Sequence, residues 1–413
     1  MGESVSQIVT KQKMSMVTDG NVTTPKGFFA GGLHCGIRKR KLDIGYVYSE
    51  VPAEAAGVYT TNVFQAAPLK VTQDSIAKDN KLQAIVVNSG IANACTGEQG
   101  LLDAYQTRKL FAEQMNIQEH HAAVVSTGLI GELLPMEKIT EGIRQFQDPN
   151  HTGASRFETA ILTTDTKEKG IAVQIEIDGK VVSIGGAAKG SGMIHPNMAT
   201  MLSFVTTDAN VDNGALNKAL KNITNQTFNM ITVDGDTSTN DMVLVLANGK
   251  AENEVLDENH QDWAIFEDAL AFVCEFLAKE IARDGEGASK LVEVQVNGAL
   301  TDNAARAISK SIISSNLVKT AIHGSDANWG RIITAIGYSG QQLDPDKVSI
   351  SLGSISVVEN GIPVVFDEGK AKEYLLQDTV TIYATFGDGE GSATAWGCDL
   401  SYEYVRINAS YRT

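Results

Sequence analysis

One long segment of this chain has helical spacing, whereas most other apolar residues fall in short strand-like runs. Between residues 258 and 283, apolar side chains recur in alternating steps of three and four, the spacing of one helix face. These residues are Trp263, Phe266, Leu270, Val273, Leu277 and Ile281. Asp284-Gly285 follows them, and glycine commonly ends a helix. The pattern therefore predicts a helix over 258–283 with one buried face.

Two further regions combine a strand-like run, a loop of small residues and a helical pattern. The first is QAIVVNSGIANACTG with LLDAYQTRKLFAEQM, preceded by the β-rich segment YTTNVFQAAPLKVT. The second is AAVVSTGLIGELLP with MEKITEGIRQFQ, where Pro135 suits the first helical turn. The alternating segment IAVQIEIDGKVVSIGG predicts another strand, and so does MLSFVTTDA.

The last third of the chain is again mixed. LVEVQVNG predicts a strand and DNAARAISKSIISS a helix, while VSISLGSISVVENGIPVVF, TVTIYATF and AWGCDLSYEYVRI predict β-hairpins up to the C-terminus. The sequence has no 20–50-residue repeat and no Pro/Ser-rich linker. We therefore predict an α/β or α+β protein with mixed sheets.

Composition and charge exclude several classes of function. The chain has 413 residues, 43% of them apolar, which is enough for two or three domains with sizeable cores. Its net charge of -16 disfavours a nucleic-acid partner, since such binding requires clusters of Lys and Arg. The four cysteines are widely separated, as expected for reduced thiols in the cytoplasm. No apolar run reaches the length of about 18 residues needed for a membrane helix.

Motifs for phosphate and metal binding are incomplete. GGAAKGSGM contains glycines and a lysine, but no Ser or Thr follows the lysine as in a phosphate-binding loop. VDGDTSTND begins like a calcium loop, yet its sixth and twelfth positions are Thr239 and Val245 instead of Gly and Glu. The histidines, such as His195 and His323, lack metal-binding spacing and are interpreted as packed or surface groups. We expect no metal.

Short loops of small polar residues follow many of the strand-like runs, a placement typical of binding sites. In VVSTGLIG, Ser126-Thr127-Gly128 could donate hydrogen bonds to an oxyanion. Lys189 in AAKGSGM could bind a carboxylate, and Glu286 in RDGEGASK could bind an ammonium group. An ordinary turn and ordinary surface charges remain the alternative interpretations.

Thr200, in MIHPNMATML, is a candidate nucleophile of an unusual kind. No GxSxG motif surrounds it, and no histidine is an evident partner. If the Ala199–Thr200 bond were cleaved, Thr200 would gain an α-amine with a pKa of about 8, able to act as the base for its own hydroxyl. The alternative is a loop threonine in front of a buried strand.

HPNMATML preceded by KGSGMI resembles the processing site of the ornithine acetyltransferase family, also called glutamate N-acetyltransferases, of arginine biosynthesis. The resemblance covers nearly the whole chain, through VVNSGIANACTG, VVSTGLIG, TTDT, ITVDGDTSTND, DGEGASK, LVKTAIHGSDANWGRI, GDGEGSATAWGCDL and INASYRT. Two positions depart from the family pattern, Ile91 for an asparagine and Ala327 for a proline. We expect both to lie away from the site.

The resemblance implies a precursor that cleaves itself into an α chain, 1–199, and a β chain, 200–413, with a C-terminal lobe at about 290–413. It implies a layered αββα fold and an α2β2 heterotetramer. Thr200 would carry the acetyl group from N2-acetyl-L-ornithine to L-glutamate, without a cofactor. Thr127 and Gly128 would form the oxyanion hole, and the implied substrate contacts are Thr163, Lys189, Thr200, Glu286, Asn408 and Thr413.

Two other functions remain open at this stage. A self-processing aminopeptidase or amidase of the same fold would use water in place of glutamate as the acceptor. A non-catalytic amino-acid-binding protein would be stabilised by its ligand without turnover. The sequence also leaves open whether acetyl-CoA serves as an alternative acetyl donor.

Overall fold

The computed structural model describes residues 14–195 and 201–410. The chain divides into two compact units, and each contains one β-sheet. The first unit comprises Met1–Gly190, Asn197–Asn225 and Thr237–Leu277, and the second comprises Ser191–Pro196, Gln226–Asp236 and Ala278–Thr413.

The first unit contains a nine-stranded mixed sheet with the order β1-β6-β7-β8-β10-β3-β4-β5, in which β2 also pairs with β3. Its strands are β1 (Ser15–Met16), β2 (Phe28–Leu33), β3 (Ile44–Tyr59), β4 (Lys81–Ile91), β5 (Ala122–Leu129), β6 (Lys169–Ile177), β7 (Lys180–Lys189), β8 (Leu202–Thr207) and β10 (Met242–Ala247). The helices that begin in this unit are α1 (Ala67–Asp79), α2 (Gly97–Met115), α3 (Met136–Arg144), α4 (Ala154–Ile161), α5 (Asn213–Gln226) and α6 (Trp263–Arg283).

The two halves of this sheet face each other across one apolar core. Val87 of β4 and Val125 of β5 belong to the same buried cluster as Phe204 of β8 and Leu244 of β10. Phe157 of α4 extends into this cluster and contacts the Phe204 ring edge-on, with 5.4 Å between the ring centroids. Full burial of each such side chain stabilises the fold by about 1.5–3 kcal/mol. The two halves of the sheet are therefore the two central β-layers, and this core lies between them.

Helices cover the outer faces of both layers. Side chains alternate across a strand, so Val86 and Val124 point away from the central core, where they pack with Phe111 of α2 and Ile139 of α3. On the other layer, a Cβ at Gly186 of β7 would lie 2.8 Å from Leu277 of α6, which shows how closely this helix approaches the strand. The order helix, sheet, sheet, helix confirms the predicted layered α/β fold.

The second unit contains a seven-stranded sheet with the order β14-β13-β12-β15-β11-β16-β9. Its strands are β9 (Ile231–Thr232), β11 (Leu291–Ala299), β12 (Ser349–Leu352), β13 (Ile355–Glu359), β14 (Ile362–Pro363), β15 (Thr379–Thr385) and β16 (Gly391–Cys398). Its helices are α7 (Asp302–Ser314), α8 (Asn316–His323), α9 (Trp329–Gly337), α10 (Glu368–Leu375) and α11 (Tyr402–Asn408). Among the described residues, no helix has both the length and the apolar character needed to cross a membrane.

Three predicted elements differ from the structure, and two of them lie in the first unit. The segment 59–72 is not β-rich, because β3 ends at Tyr59 and α1 begins at Ala67. Pro68 lies in the first turn of α1, where its missing N–H leaves no helical hydrogen bond unmade. The run 171–186 is a hairpin of β6 and β7 instead of one strand. Its turn, Asp178-Gly179, has positive φ angles of 52° and 71°.

The prediction of hairpins up to the C-terminus is wrong for the last part of the chain. After β16, the hydroxyl of Ser401 accepts a hydrogen bond from the N–H of Glu403 at 3.2 Å and initiates α11. A serine at this N-cap position stabilises a helix start by about 1 kcal/mol, which outweighs the strand preference of the following tyrosines and valine. The predicted helix 258–283 is confirmed, although it begins at Trp263.

Candidate active site

The predicted oxyanion residues, Thr127 and Gly128, lie near the end of β5, beside the parallel strand β4. β4 and β5 pair in register, with Ser89 beside Thr127 and Gly90 beside Gly128. Gly128 has a φ of 136°, which side chains rarely adopt, and a Cβ there would lie 2.2 Å from the carbonyl carbon of Gly90. Glycine is therefore required at this position by both conformation and space.

An amide side chain fixes the end of this strand pair. Nδ2 of Asn240 donates to the carbonyl oxygens of Ser126, at 2.8 Å, and Ala92, at 2.6 Å. The hydroxyl of Ser126 in turn donates to Oδ1 of Asn88 at 2.6 Å. All of these groups are buried or nearly so, so the backbone that carries Thr127 is held in one position. Fixed donors of this kind are what stabilisation of an oxyanion requires.

Lys189, the last residue of β7, contacts two other predicted site residues. Its buried ammonium donates to the hydroxyl oxygen of Thr163 at 2.8 Å and to that of Thr127 at 3.3 Å. A hydroxyl that accepts from an ammonium keeps its own hydrogen for another acceptor. The structure thus brings together Thr127, Gly128, Thr163 and Lys189, with the Thr127 hydroxyl arranged to act as a donor.

Ile91 was expected to lie away from this site, and that expectation is wrong. Ile91 pairs with Thr127 in the β4–β5 ladder, and its amide nitrogen would be 2.5 Å from a Cβ at Gly128. Its backbone is therefore part of the wall behind the oxyanion residues. The departure from the family pattern lies in the side chain of Ile91, whereas β pairing brings its backbone into contact with Thr127.

A carboxylate that the sequence analysis did not select lies beneath these residues. Asp165 is buried, and its Oδ1 accepts from Nζ of Lys169 at 2.8 Å and from the N–H of Gly190 at 2.7 Å. Its Oδ2 accepts from the N–H of Thr163 at 2.9 Å. Burial acts to raise the pKa of Asp165, but the charges of Lys189 and Lys169 and these hydrogen bonds hold it well below its usual value. The acidic residue of TTDT was the available sequence signal.

A second acid, Asp241, lies within the electrostatic range of Lys189. Its side chain is buried, and among the described residues its Oδ2 has no hydrogen-bond partner. Burial raises the pKa of Asp241 well above its usual value, and a hydrogen bond from Ser238 and the charge of Lys189 offset only part of this effect. In the sequence, the segment that contains Asp241 resembles only an incomplete calcium loop.

In the second unit the predicted substrate residues Glu286 and Asn408 are in contact. Nδ2 of Asn408 donates to Oε2 of Glu286 at 2.7 Å, and the N–H of Glu286 donates to the carbonyl of Ser191 at 2.9 Å. Glu286 is only 6% exposed, and none of the Lys, Arg or His side chains in the described ranges forms an ion pair with it. A buried carboxylate without a counter-ion is suited to a cationic ligand group.

The surroundings of Glu286 add further negative charge. Burial raises the pKa of Tyr404, and the charges of Asp234, Glu286 and Asp236 raise it further. Burial and the neighbouring charge of Asp234 also raise the pKa of Asp236. Burial is the main cause of both shifts, and the neighbouring negative charges act in the same direction. These negative charges around Glu286 favour a cationic ligand group.

The segment that precedes the predicted cleavage position is anchored in the second unit. The carboxylate of Asp234 accepts from the N–H groups of Met193 and Ile194, at 2.6 and 2.9 Å. The N–H of Val233 donates to the carbonyl of Ile194 at 2.7 Å. Nδ1 of His195 forms a hydrogen bond with the hydroxyl of Thr232. Burial, together with the charge of Lys310, lowers the pKa of His195 to about 4. Its ring is therefore neutral at pH 7.

Ala199, Thr200 and Thr413 lie outside the described residues. The roles predicted for them stay predictions. The remaining predicted site residues fall into two groups, one in each unit, and each group has the chemistry expected of it. The first group offers hydroxyl and ammonium donors, and the second offers a carboxylate and an amide.

Comparison with known proteins places the chain in a family. The model of the ArgJ family matches residues 29–413. The arginine biosynthesis bifunctional protein ArgJ of Oceanobacillus iheyensis is 60% identical over 409 residues, which cover 98% of this chain and all of the relative. That of Staphylococcus aureus is 56% identical over 412 residues, which cover 100% of this chain and 99% of the relative.

A solved structure supports the same assignment. The crystal structure of the arginine biosynthesis bifunctional protein ArgJ from Bacillus halodurans is 58% identical, with a TM-score of 0.51. The match covers 51% of this chain and 100% of the solved chain. Because the family model and the full-length relatives agree over nearly the whole sequence, this chain is a member of the ArgJ family.

Proposed function

We propose that this protein is a cytoplasmic acetyltransferase of arginine biosynthesis. It transfers the acetyl group of N2-acetyl-L-ornithine to L-glutamate through an acetyl-Thr200 ester, after cleaving itself between Ala199 and Thr200. The reaction uses no metal ion and no organic cofactor. The observation that carries the proposal is the contact of Lys189 with Thr163 and Thr127 beside Gly128, on fixed strand ends.

In the first half of the reaction, the α-amine of Thr200 removes the proton of its own hydroxyl, and the oxygen attacks the acetyl carbon. The resulting oxyanion receives hydrogen bonds from the Thr127 hydroxyl and the Gly128 N–H. The bond between the acetyl carbon and the nitrogen of ornithine then breaks, and the proton passes to that nitrogen. Ornithine leaves with a free amine, and the acetyl group remains as an ester on Thr200.

In the second half, the amine of glutamate attacks the ester carbon, and the bond between that carbon and the Thr200 oxygen breaks. The proton lost by the amine passes to this oxygen through the α-amine of Thr200, which restores the hydroxyl. Ornithine and glutamate share an α-carboxylate, so one cation serves both substrates. Lys189 is that cation, because its ammonium is held beside the oxyanion donors. The ammonium on the ornithine side chain needs an anion, a role for which we propose the uncompensated carboxylate of Glu286, assisted by Asn408. The C-terminal carboxylate of Thr413 is proposed as a second anion.

Self-cleavage is supported by the length of the solved relative. The curated relatives match this chain over 98% to 100% of its length, whereas the Bacillus halodurans chain is fully covered by 51% of it. A half-length chain is the size expected of one product of a single central cut. We propose that the chains 1–199 and 200–413 stay associated as an α2β2 heterotetramer.

An acceptor assay tests the proposed reaction. Pure protein incubated with N2-acetyl-L-ornithine should form N-acetylglutamate and ornithine in equal amounts, and only when glutamate is present. Initial rates at several concentrations of both substrates should give the parallel double-reciprocal lines of a ping-pong mechanism. Release of free acetate at a rate independent of glutamate would instead show that the protein is an amidase.

The same assay with acetyl-CoA as donor tests a second activity. The curated relatives are described as bifunctional, and we propose that acetyl-CoA also acetylates glutamate through Thr200. The expected result is N-acetylglutamate formation that requires the intact hydroxyl of Thr200. If acetyl-CoA yields no product while N2-acetyl-L-ornithine does, the protein has only the transfer activity.

Substitution of Glu286 by Gln should weaken binding of the donor and spare the acceptor. A charge-assisted hydrogen bond contributes about 1.5–3 kcal/mol, so kcat/KM for N2-acetyl-L-ornithine should fall roughly 10- to 100-fold. Glutamate has no side-chain cation, and its kcat/KM should change little. The separate kcat/KM values are obtained from ping-pong kinetics.

Glu293→Gln is a matched control for this prediction. Glu293 is also a glutamate of the second unit, but it contacts Lys279 and Nε1 of Trp396 and is not a predicted site residue. This variant should keep wild-type kcat/KM for both substrates. Equal losses for donor and acceptor in Glu286→Gln would contradict a specific role with the ornithine ammonium.

A further inference from the structure

We infer that Asp165 is a positioning residue of the active site, which keeps Lys189 charged and fixes Lys189 and Thr163 in their orientation. The inference builds on the proposed function, because it assigns Lys189 to the substrate carboxylate and Thr127 to the oxyanion. It adds a residue that touches neither the substrate nor the reacting atoms. Asp165 acts only through the groups that it holds.

Asp165 accepts hydrogen bonds from the backbone next to Lys189 and from the backbone of Thr163. The N–H of Gly190, directly after Lys189, donates to Oδ1 at 2.7 Å. The N–H of Thr163 donates to Oδ2 at 2.9 Å, and the Thr163 hydroxyl lies 3.5 Å from the same oxygen. One carboxylate thus ties the end of β7 to the loop after α4. Lys189 and Thr163 lie on these two segments and contact each other.

The hydroxyl of Thr163 continues this connection to the ammonium of Lys189. It accepts from Nζ of Lys189 at 2.8 Å, so its own hydrogen is directed towards Asp165. Nζ of Lys189 also donates to the Thr127 hydroxyl at 3.3 Å. The orientation of the oxyanion donor therefore depends on Lys189, and that of Lys189 depends on Asp165 through Thr163. Such supporting hydrogen bonds determine how precisely a site is formed.

Charge gives Asp165 a second role. Lys169 and Lys189 are both buried in the first unit, and the charges of both act on Asp165, while the charge of Lys189 also acts on Asp241. Asp241 has a raised pKa and an oxygen without a partner, whereas Asp165 is held in its charged form. Asp165 is therefore a charged anion within the electrostatic range of Lys189, and it stabilises the Lys189 ammonium. Removal of this negative charge would leave two buried cations with less compensation, and the pKa of Lys189 would fall.

The test compares Asp165→Asn with wild-type enzyme in the transfer of acetyl from N2-acetyl-L-ornithine to glutamate. Asparagine has nearly the same shape but no charge. We expect kcat/KM for both substrates to fall roughly 10- to 100-fold, the usual effect of removing a residue that orients a ligand-binding group. A cation is lost as pH rises through its pKa. A lowered pKa of Lys189 should therefore move the alkaline limb of the kcat/KM profile to lower pH.

Asp208→Asn is the matched control. Asp208 is buried in the same unit and accepts from two backbone N–H groups, those of Ser183 at 2.7 Å and Lys26 at 3.0 Å. It follows Thr207, which pairs with Ile184 at the end of the β7–β8 pair opposite Lys189. Its replacement should lower the melting temperature and leave kcat/KM and the alkaline limb unchanged. This control therefore shows what loss of a buried carboxylate does to stability alone, apart from any effect on catalysis.

Asp165→Glu separates charge from position and decides the question if Asp165→Asn does not fold. It keeps the anion but displaces it by one methylene, so the alkaline limb should stay at its wild-type pH while kcat/KM falls. A folded Asp165→Asn with wild-type kcat/KM and pH profile, or an Asp165→Glu with wild-type kcat/KM, overturns the inference. A wild-type enzyme that transfers no acetyl group refutes the proposed function itself.

Discussion

Replacement of Thr200 by Ala is expected to leave one uncut chain without acetyltransferase activity. In the proposed mechanism the hydroxyl of Thr200 attacks the Ala199 carbonyl, so the Ala199–Thr200 bond of the variant should stay intact and no α-amine should form. The variant would also lack the group proposed to carry the acetyl. Loss of a covalent nucleophile typically lowers kcat by about 10⁶-fold, so the remaining activity should not exceed the background of the assay. Denaturing electrophoresis should show one band for the variant and two bands of nearly equal size for the wild type.

Thr200→Ser is the control for this prediction. Serine supplies both a hydroxyl and, after cleavage, an α-amine, so this variant should be cut and retain measurable transfer. The comparison separates loss of the chemical group from a change of local packing. A Thr200→Ala chain that is still cut at this bond, or that still transfers acetyl, would exclude the proposed mechanism.

Replacement of Thr127 by Val should lower kcat by about 10²- to 10³-fold, or about 2.7–4 kcal/mol of transition-state stabilisation. Valine keeps the shape of threonine and removes the hydroxyl that we propose as a donor to the oxyanion. That hydroxyl also accepts from Lys189 at 3.3 Å, so a small rise in KM is expected as well. Both half-reactions of the proposed mechanism pass through a tetrahedral oxyanion, so both should slow down in single-turnover measurements.

Thr72→Val is a suitable control for Thr127→Val. The hydroxyl of Thr72 is also buried against β5, where it donates to the carbonyl of Val124 at 2.8 Å and accepts from its N–H at 2.9 Å. Its loss should reduce the free energy of unfolding by about 1–3 kcal/mol and leave kcat unchanged. Equal values of kcat for Thr127→Val and wild type would show that Thr127 is not an oxyanion donor.

Much of the fold could be predicted from periodicity. The apolar stripe from Trp263 to Ile281 identified the longest helix, since helical spacing over six positions rarely arises in a strand. Predictions failed where one local signal overrode the residue preferences. Pro68 starts a helix in a segment predicted to be β-rich, Gly179 turns one predicted strand into a hairpin, and Ser401 initiates a helix after β16. Such boundaries depend on single residues, to which pattern averages are insensitive.

The sequence also contained the residue types that form the candidate site, in VVSTGLIG, TTDT and AAKGSGM. It determined that small hydroxyl residues, a glycine and a lysine follow buried strands, and the order of its motifs determined the family. Those properties depend on residue types and on their spacing along the chain.

The tertiary structure decided which of these groups meet. Lys189 contacts Thr163 and Thr127, residues 26 and 62 positions away, because β7, β5 and the loop after α4 converge in the first unit. It also revealed Asp165 as the carboxylate beneath them and the backbone of Ile91 as a wall behind Gly128. Hydrogen bonds and charge interactions act over a few ångströms. Their partners are therefore set by how strands pair and pack, which separation along the sequence does not encode.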